Sequence, residues 1–235
     1  MICCMAGCSG SSSSDKDKSS SSTNSSSASE SSSKSDSSSD SDSSKASSKI
    51  NAIGYDVKSS ERLTDKLKKT YADGYKASMK ASTGSGAELT IAVKGGKIYS
   101  SNKGTSEHRT MIFSGGSSAT VINNTAKSYT EQAVSDAKLF ISQNDLLFGQ
   151  AGDFIKAQID EQHDLIGEFY KLDKNVTGKN GQMCFQYLGS TGELAQMTIT
   201  YEGSEDFPIY FRINELTRCD DKQFEIPDLS KFQKK

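Results

Sequence analysis

The apolar positions of this chain change period along its length, and each change marks an element. In residues 58–72, "KSSERLTDKLKKTYA", Leu63, Leu67 and Tyr71 recur every four residues, the spacing of one helical face. Ser59 or Ser60 is expected to cap the first turn, since a hydroxyl oxygen can accept from its free amides. Gly74 is expected to end the helix. Alternation of period two follows. Tyr75, Ala77, Met79 and Ala81 share one face, as do Leu89, Ile91 and Val93. Gly95-Gly96 predicts a tight hairpin, because both positions accept positive φ. "HRTMIFSGG" places Met111 and Phe113 on a further strand, and "SATVINNTAKSYTEQ" predicts a hairpin turning near Asn123-Asn124.

Residues 131–164 break this alternation. Phe154, Ile155, Ile159 and His163 fit a helical stripe, so two or three short helices are predicted, interrupted near Gly149 and Gly152. Alternation then returns. "EFYKLDKNV" reads as one strand. A three-strand meander follows, carrying Met183, Phe185 and Tyr187, then Met197, Ile199 and Tyr201, then Ile209, Phe211 and Ile213 on its apolar face. Its turns fall at 189–192 and 203–207. Phe224, Ile226, Leu229 and Phe232 suffice to dock the C-terminus back onto the domain. This order of elements predicts an α+β fold: a curved antiparallel sheet, a half-barrel, with helices covering its concave apolar face.

Composition divides the chain. Of the 40 residues 9–48, 25 are serine, with four lysines and six acidic residues between them. Such a segment has almost nothing apolar to bury and is expected to be a disordered tether extending to residue 50. What remains, 51–235, has the size of one ordinary domain and is balanced in charge. It carries no basic stripe, so nucleic acid is not expected as a partner. No apolar run approaches the ~18 residues of a transmembrane helix.

The chain opens "MICCMAGCSG". Met5-Ala6-Gly7-Cys8 resembles the lipobox of bacterial lipoproteins, in which small residues precede a cysteine that receives a diacylglyceryl group. A hydrophilic tether follows at once, which is the order of anchor, spacer and domain that a lipidated surface protein needs. Acyl chains gain about 0.8 kcal/mol per buried methylene, and two or three of them anchor stably. Only seven residues precede Cys8 and none is basic, so residues 1–8 are expected to be the remnant of a signal whose true start lies upstream. Cys3 and Cys4 would leave with that signal. The expected address is the extracytoplasmic face of a bacterial cell membrane, with palmitate-type acylation of Cys8.

The helix, the hairpins including "SATVINNTAKSY", the helical insert, the meander and the closing "FEIPDLSKF" together resemble the LolA/LppX/LprG type of lipoprotein carrier, over roughly 58–235. The resemblance implies a curved sheet around an apolar cavity, lidded by helices, that accepts a lipid or the acyl chains of a lipoprotein. Carried onto this chain, the cavity lining would be Met79, Met111, Phe113, Met183, Phe185, Tyr187, Met197, Ile199 and Phe211. Methionine is pliable and suits irregular apolar surfaces, binding ones included. The same residues equally describe a filled core beneath the helices. In that case the protein would be a non-enzymatic scaffold or interaction module of the cell envelope.

Catalytic chemistry is not legible. Asp160, Glu161, His163 and Asp164 could converge on one helix turn, but a solvated helix end explains them better than a metal does, and no metal is expected. Ser135-Asp136-Ala137-Lys138 has the spacing of a Ser-x-x-Lys nucleophile without its Ser-Asp-Asn and Lys-Thr-Gly companions. No cofactor and no enzymatic activity are expected, and the protein is expected to be a monomer. Cys184 and Cys219 are read as two thiols. Their places in the meander put them too far apart for a disulfide.

Overall fold

The computed structural model describes residues 51–82 and 86–235. Cys8, the signal remnant 1–8 and the serine tether lie outside the described residues. One compact unit runs from Ser48 to Lys235. It begins with helix α1 (Leu63–Thr70) and strands β1 (Tyr75–Ala81), β2 (Glu88–Lys94), β3 (Lys97–Lys103), β4 (His108–Phe113), β5 (Ser118–Asn123) and β6 (Ser128–Ala133). Helix α2 (Ala137–Asn144) leads to β7 (Ala151–Asp160) and β8 (Leu165–Leu172), and the short α3 (Lys174–Thr177) leads to β9 (Gly181–Leu188), β10 (Leu194–Tyr201) and β11 (Ile209–Thr217). A 3-10 turn, Asp221–Phe224, and the two-residue β12 (Gln233–Lys234) close the chain.

The strands form one curved, open 12-stranded sheet in the order β12-β6-β5-β4-β3-β2-β1-β11-β10-β9-β8-β7. All pairings are antiparallel except that of β12 with β6. Neighbours in sequence are neighbours in space along each half. The halves join where β1 pairs with β11, from Lys76↔Thr217 to Ala81↔Phe211. The turn between β2 and β3 is the expected glycine pair, with φ of +55° at Gly95 and +77° at Gly96. Gly74 has φ of +126°, and a Cβ there would meet Lys94 Cβ at 2.7 Å, so this glycine lets the chain pass close over β2 into β1.

The sheet's inner face carries the main core. Tyr75, Ala77, Met79 and Ala81 of β1 are buried in alternation. In register, Met197 lies between Phe185 and Phe211, and Ile199 between Met183 and Ile209. Burial in β4 is continuous instead, from Thr110 to Phe113, as expected of a strand covered on both faces. Ala92, Ile112 and Ile122 point away from the inner cluster and are nevertheless buried, as is Phe224. The C-terminal segment accounts for this. It leaves β11, ties to the β2–β3 hairpin through Lys94–Asp221 (3.0 Å) and Lys97–Asp221 (3.2 Å), receives a 2.5 Å hydrogen bond from Ser114 Oγ at Phe224 O, and ends beside β6. Of the four apolar tail residues expected to dock, Phe224 is buried, Leu229 and Phe232 are half-buried and Ile226 is exposed.

Several expectations are corrected. Residues 151–160 are strand β7, not helix. Register shifts between Ala151 and Phe154 and between Phe154 and Lys156 break the period of two; of the four residues of the expected helical stripe, Phe154 and Ile159 are half-buried, Ile155 is exposed and His163 lies in the turn after the strand. The second meander therefore has five strands, β7 to β11. The strand in "EFYKLDKNV" stops at Leu172, where Asp173 turns the chain and accepts from Asn175 N to start α3. The β5–β6 turn spans 124–127, slightly beyond the expected asparagines. Neither Ser59 nor Ser60 caps α1. The helix starts at Leu63, and Ser59 Oγ accepts from Glu61 N ahead of it.

Replacing Phe224 with alanine is expected to cost about 2–4 kcal/mol in urea unfolding, and to expose the Ile112 and Ile122 face as a gain in dye binding by the native state.

Candidate functional site

The nine residues expected to line a cavity are brought together. Met79, Met111, Phe113, Met183, Phe185, Tyr187, Met197, Ile199 and Phe211 belong to one cluster and are between 0 and 8% exposed. Leu63 and Leu67 of α1 and Tyr71 just after it pack against it, as do Ile141, Leu146 and Phe148 of α2 and the loop after it. The aromatic rings meet edge to face: Phe113 with Phe140 at 5.5 Å, Tyr75 with Phe148 at 5.2 Å and Tyr170 with Phe185 at 5.6 Å. Such contacts add to area burial, as expected of a close-packed interior.

Two buried carboxylates hold this packing in place, and neither was singled out from the sequence. Glu168, at 0% exposure, occupies an inward position of β8 between Ile166 and Tyr170. Its Oε1 accepts from Tyr55 OH (2.6 Å) and Leu63 N (2.7 Å). Its Oε2 accepts from Thr64 N (3.0 Å), Thr64 Oγ1 (2.7 Å) and Tyr170 OH (3.3 Å). Thr64 Oγ1 lies 2.7 Å from Tyr187 OH, and with its own proton on Glu168 it accepts from the tyrosine. The first amides of α1, which lack a cap from Arg62, are thus capped from across the sheet. The bonded carboxylate is also well placed against the helix dipole. Burial, then the Glu168 hydrogen bond and charge, push the Tyr55 phenol up to about 12. Burial likewise raises Tyr187 well above the ordinary phenol range. The Arg62 guanidinium lies 3.8 Å over the Phe154 ring beside this network.

Asp145 does similar work after α2. It accepts from Leu147 N (3.0 Å), Phe148 N (3.1 Å) and Tyr75 OH, fastening the loop to β1. Burial raises its carboxyl above the usual range, against the lowering effect of those hydrogen bonds. The signal that could have revealed Glu168 is a lone charge in the apolar register of an alternating strand. For Asp145, which sits in the loop after α2 and outside any alternating strand, the periodicity held no such signal.

Two hollows open at the surface. One, of about 170 Å³, is lined by Lys68, Tyr71 and Gly74 on one side and Tyr75, Val93, Lys94 and Phe148 on the other. The other, of about 130 Å³, lies on the outer face of β8–β11 and is lined by Phe169, Cys184, Thr198, Tyr210 and neighbouring glutamines and threonine. None of the nine cluster residues lines either hollow.

The other sequence candidates do not converge. Asp160 and His163 pair at 2.8 Å in the exposed β7–β8 turn, while Asp164 Oδ2 accepts from Ser190 N. Among the described residues no group of three or more His, Cys, Asp or Glu could hold a metal ion. His108 bonds Ser101 (3.0 Å), and Ser135 and Lys138 are exposed. Cys184 and Cys219 are free thiols. No helix among the described residues is long and apolar enough to cross a membrane.

No protein-family model and no curated protein matches the chain. Among solved structures, an uncharacterized conserved protein from Thermus thermophilus is similar at 11% identity and a TM-score of 0.43, over 73% of this chain and 95% of that one.

Three outcomes follow from the buried groups. Glu168→Ala is expected to cost about 1–3 kcal/mol for each buried donor left without an acceptor and to strip hydrogen-exchange protection from the Leu63 and Thr64 amides, with Glu168→Gln milder on both counts. Because Asp145 is raised in the folded state, its neutral form contributes stability that is complete below the ordinary carboxylate range and is lost as pH rises through the raised value. Asp145→Asn should therefore flatten that part of the urea-midpoint profile. Burial pushes the Cys184 thiol up to about 12, so alkylation near neutral pH should label the partly exposed Cys219 first, as read by peptide mass.

Proposed function

We propose that this protein is a non-enzymatic interaction module of the bacterial cell envelope, anchored through lipidated Cys8 and carried on its serine-rich tether. In this reading the helices cover the concave apolar face permanently, and the working surface is the outside of the sheet. The observation that carries it is the close packing of the nine residues Met79 to Phe211, at 0 to 8% exposure, beneath side chains of α1 and α2. A face packed to that degree offers an acyl chain no room without unpacking the core. The buried caps at Glu168 and Asp145 make that costly, because lifting either element strands hydrogen-bonding groups.

A carrier of lipid or lipoprotein acyl chains is the second reading. It is favoured by the hollow between α1 and the β2–β3 hairpin, where Lys68 and Lys94 stand at the mouth of an aromatic pocket. A charged headgroup could rest on the lysines while the covering helices swing aside.

The two readings separate in one measurement. Delipidated protein titrated into a fluorescent fatty acid is expected to leave its emission unchanged. Saturable uptake displaced by unlabelled fatty acid would favour the carrier and sink the module. The anchor is tested apart from this: an alkynyl palmitate fed to the native host should label the protein, and Cys8→Ser should abolish the label.

A further inference from the structure

The two halves of the sheet differ on their outer side. The C-terminal segment runs across the β2–β6 half and hides Ala92, Ile112 and Ile122. The β8–β11 half keeps its outer face open, and the side chains that line its hollow are uncharged. Register fixes their arrangement. Phe169, Cys184, Thr198 and Tyr210 lie in one row across four strands. Three strand spacings separate the two rings, roughly 14 Å. Between them the short Cys184 and Thr198 side chains form the floor of the hollow of about 130 Å³. One side is an amide ledge, where Gln196 Nε2 donates to Gln186 Oε1 at 2.8 Å. The other side is Gln182 and Thr200. Tyr210 is 40% exposed and so presents its ring to solvent.

The rim of this trough is cationic. Lys156 lies 4.9 Å from the Phe169 ring, Lys171 is the register partner of Gln182, and Arg212 is the register partner of Gln196. None of the three takes part in an ion pair among the described residues. The carboxylate that follows Thr200 on the same side of its strand, Glu202, is turned to Asn180 at 2.6 Å. No carboxylate lines the hollow.

We propose that this trough binds an extended acidic polysaccharide. Amides and hydroxyls on both walls match a ligand that is dense in hydroxyl donors and acceptors. The rings at either end suit the C–H faces of successive sugars, since an aromatic face carries partial negative charge. The unpaired Lys156, Lys171 and Arg212 suit carboxylate or phosphate substituents along the chain. A nucleic acid strand would also stack and pair with cations, and the oligonucleotide arm of the test below separates it. The proposal rests on the outer face being the working surface, and it can fail while the core remains closed to fatty acid.

Affinity electrophoresis of the intact domain through gels containing polygalacturonate, dextran or a single-stranded oligonucleotide tests it. Retardation by polygalacturonate, with none by dextran or the oligonucleotide, is expected. Tyr210→Ala should weaken binding about five- to tenfold, at low and at raised salt alike. Arg212→Gln should weaken it chiefly at low salt, where ionic contacts are least screened. Thr198→Tyr, which fills the floor, should abolish it while the unfolding midpoint of each variant is checked separately. Equal retardation by dextran or by the oligonucleotide overturns the ligand class. Undiminished binding by Tyr210→Ala and Thr198→Tyr overturns the site. No retardation by polygalacturonate overturns the proposal while leaving a negative fatty-acid titration, and with it the module reading, intact.

Discussion

A carboxylate buried away from the surface sets the terms for this domain. Glu168 is buried in the apolar face of β8, and its charge is tolerated because five donors surround it. Those donors come from the segment before α1, from the first turn of α1 and from β8 itself. The burial of the charge and the seating of the helix are therefore one event. An unseated helix would leave the carboxylate desolvated without partners and leave its own first amides free. Few contacts in a small domain have that all-or-nothing character.

The same logic repeats at Asp145, which ties the loop after α2 to Tyr75 at the start of β1. The two short helices are each eight residues long, too short to hold their shape by propensity alone. They persist because their ends are fastened to opposite parts of a sheet that surrounds their apolar sides with Met, Phe and Tyr. Polar fasteners hold the helices at a fixed height over the sheet, and at that height the side chains of Leu63, Leu67, Phe140 and Phe148 reach the face below.

A packed inner face moves attention to the outside of the sheet, where the two halves part company. The half beside the C-terminal segment is apolar because it is covered. The half without such cover is polar, shallowly concave and fringed by lysine and arginine. That inventory is what the proposed recognition of an extended, hydroxyl-bearing anion rests on.

By itself, the sequence determined the strands whose alternation is regular. Met79, Phe185, Met197 and Phe211 could be assigned to one apolar face from spacing alone, because a period of two is imposed by the pleat. The glycine-pair hairpin was equally plain. Where the local signal was distorted, reading failed. Bulges in β7 broke its alternation, so Phe154, Ile155, Ile159 and His163 read as a helical stripe. The cap of α1 came from a residue more than a hundred positions away, so Ser59 and Ser60 misled. Tertiary structure alone decided that β1 pairs with β11, that Glu168 accepts from the first amides of α1 and that the nine apolar residues share one buried cluster. Each of these depends on which distant groups share one space, and no local period carries that information.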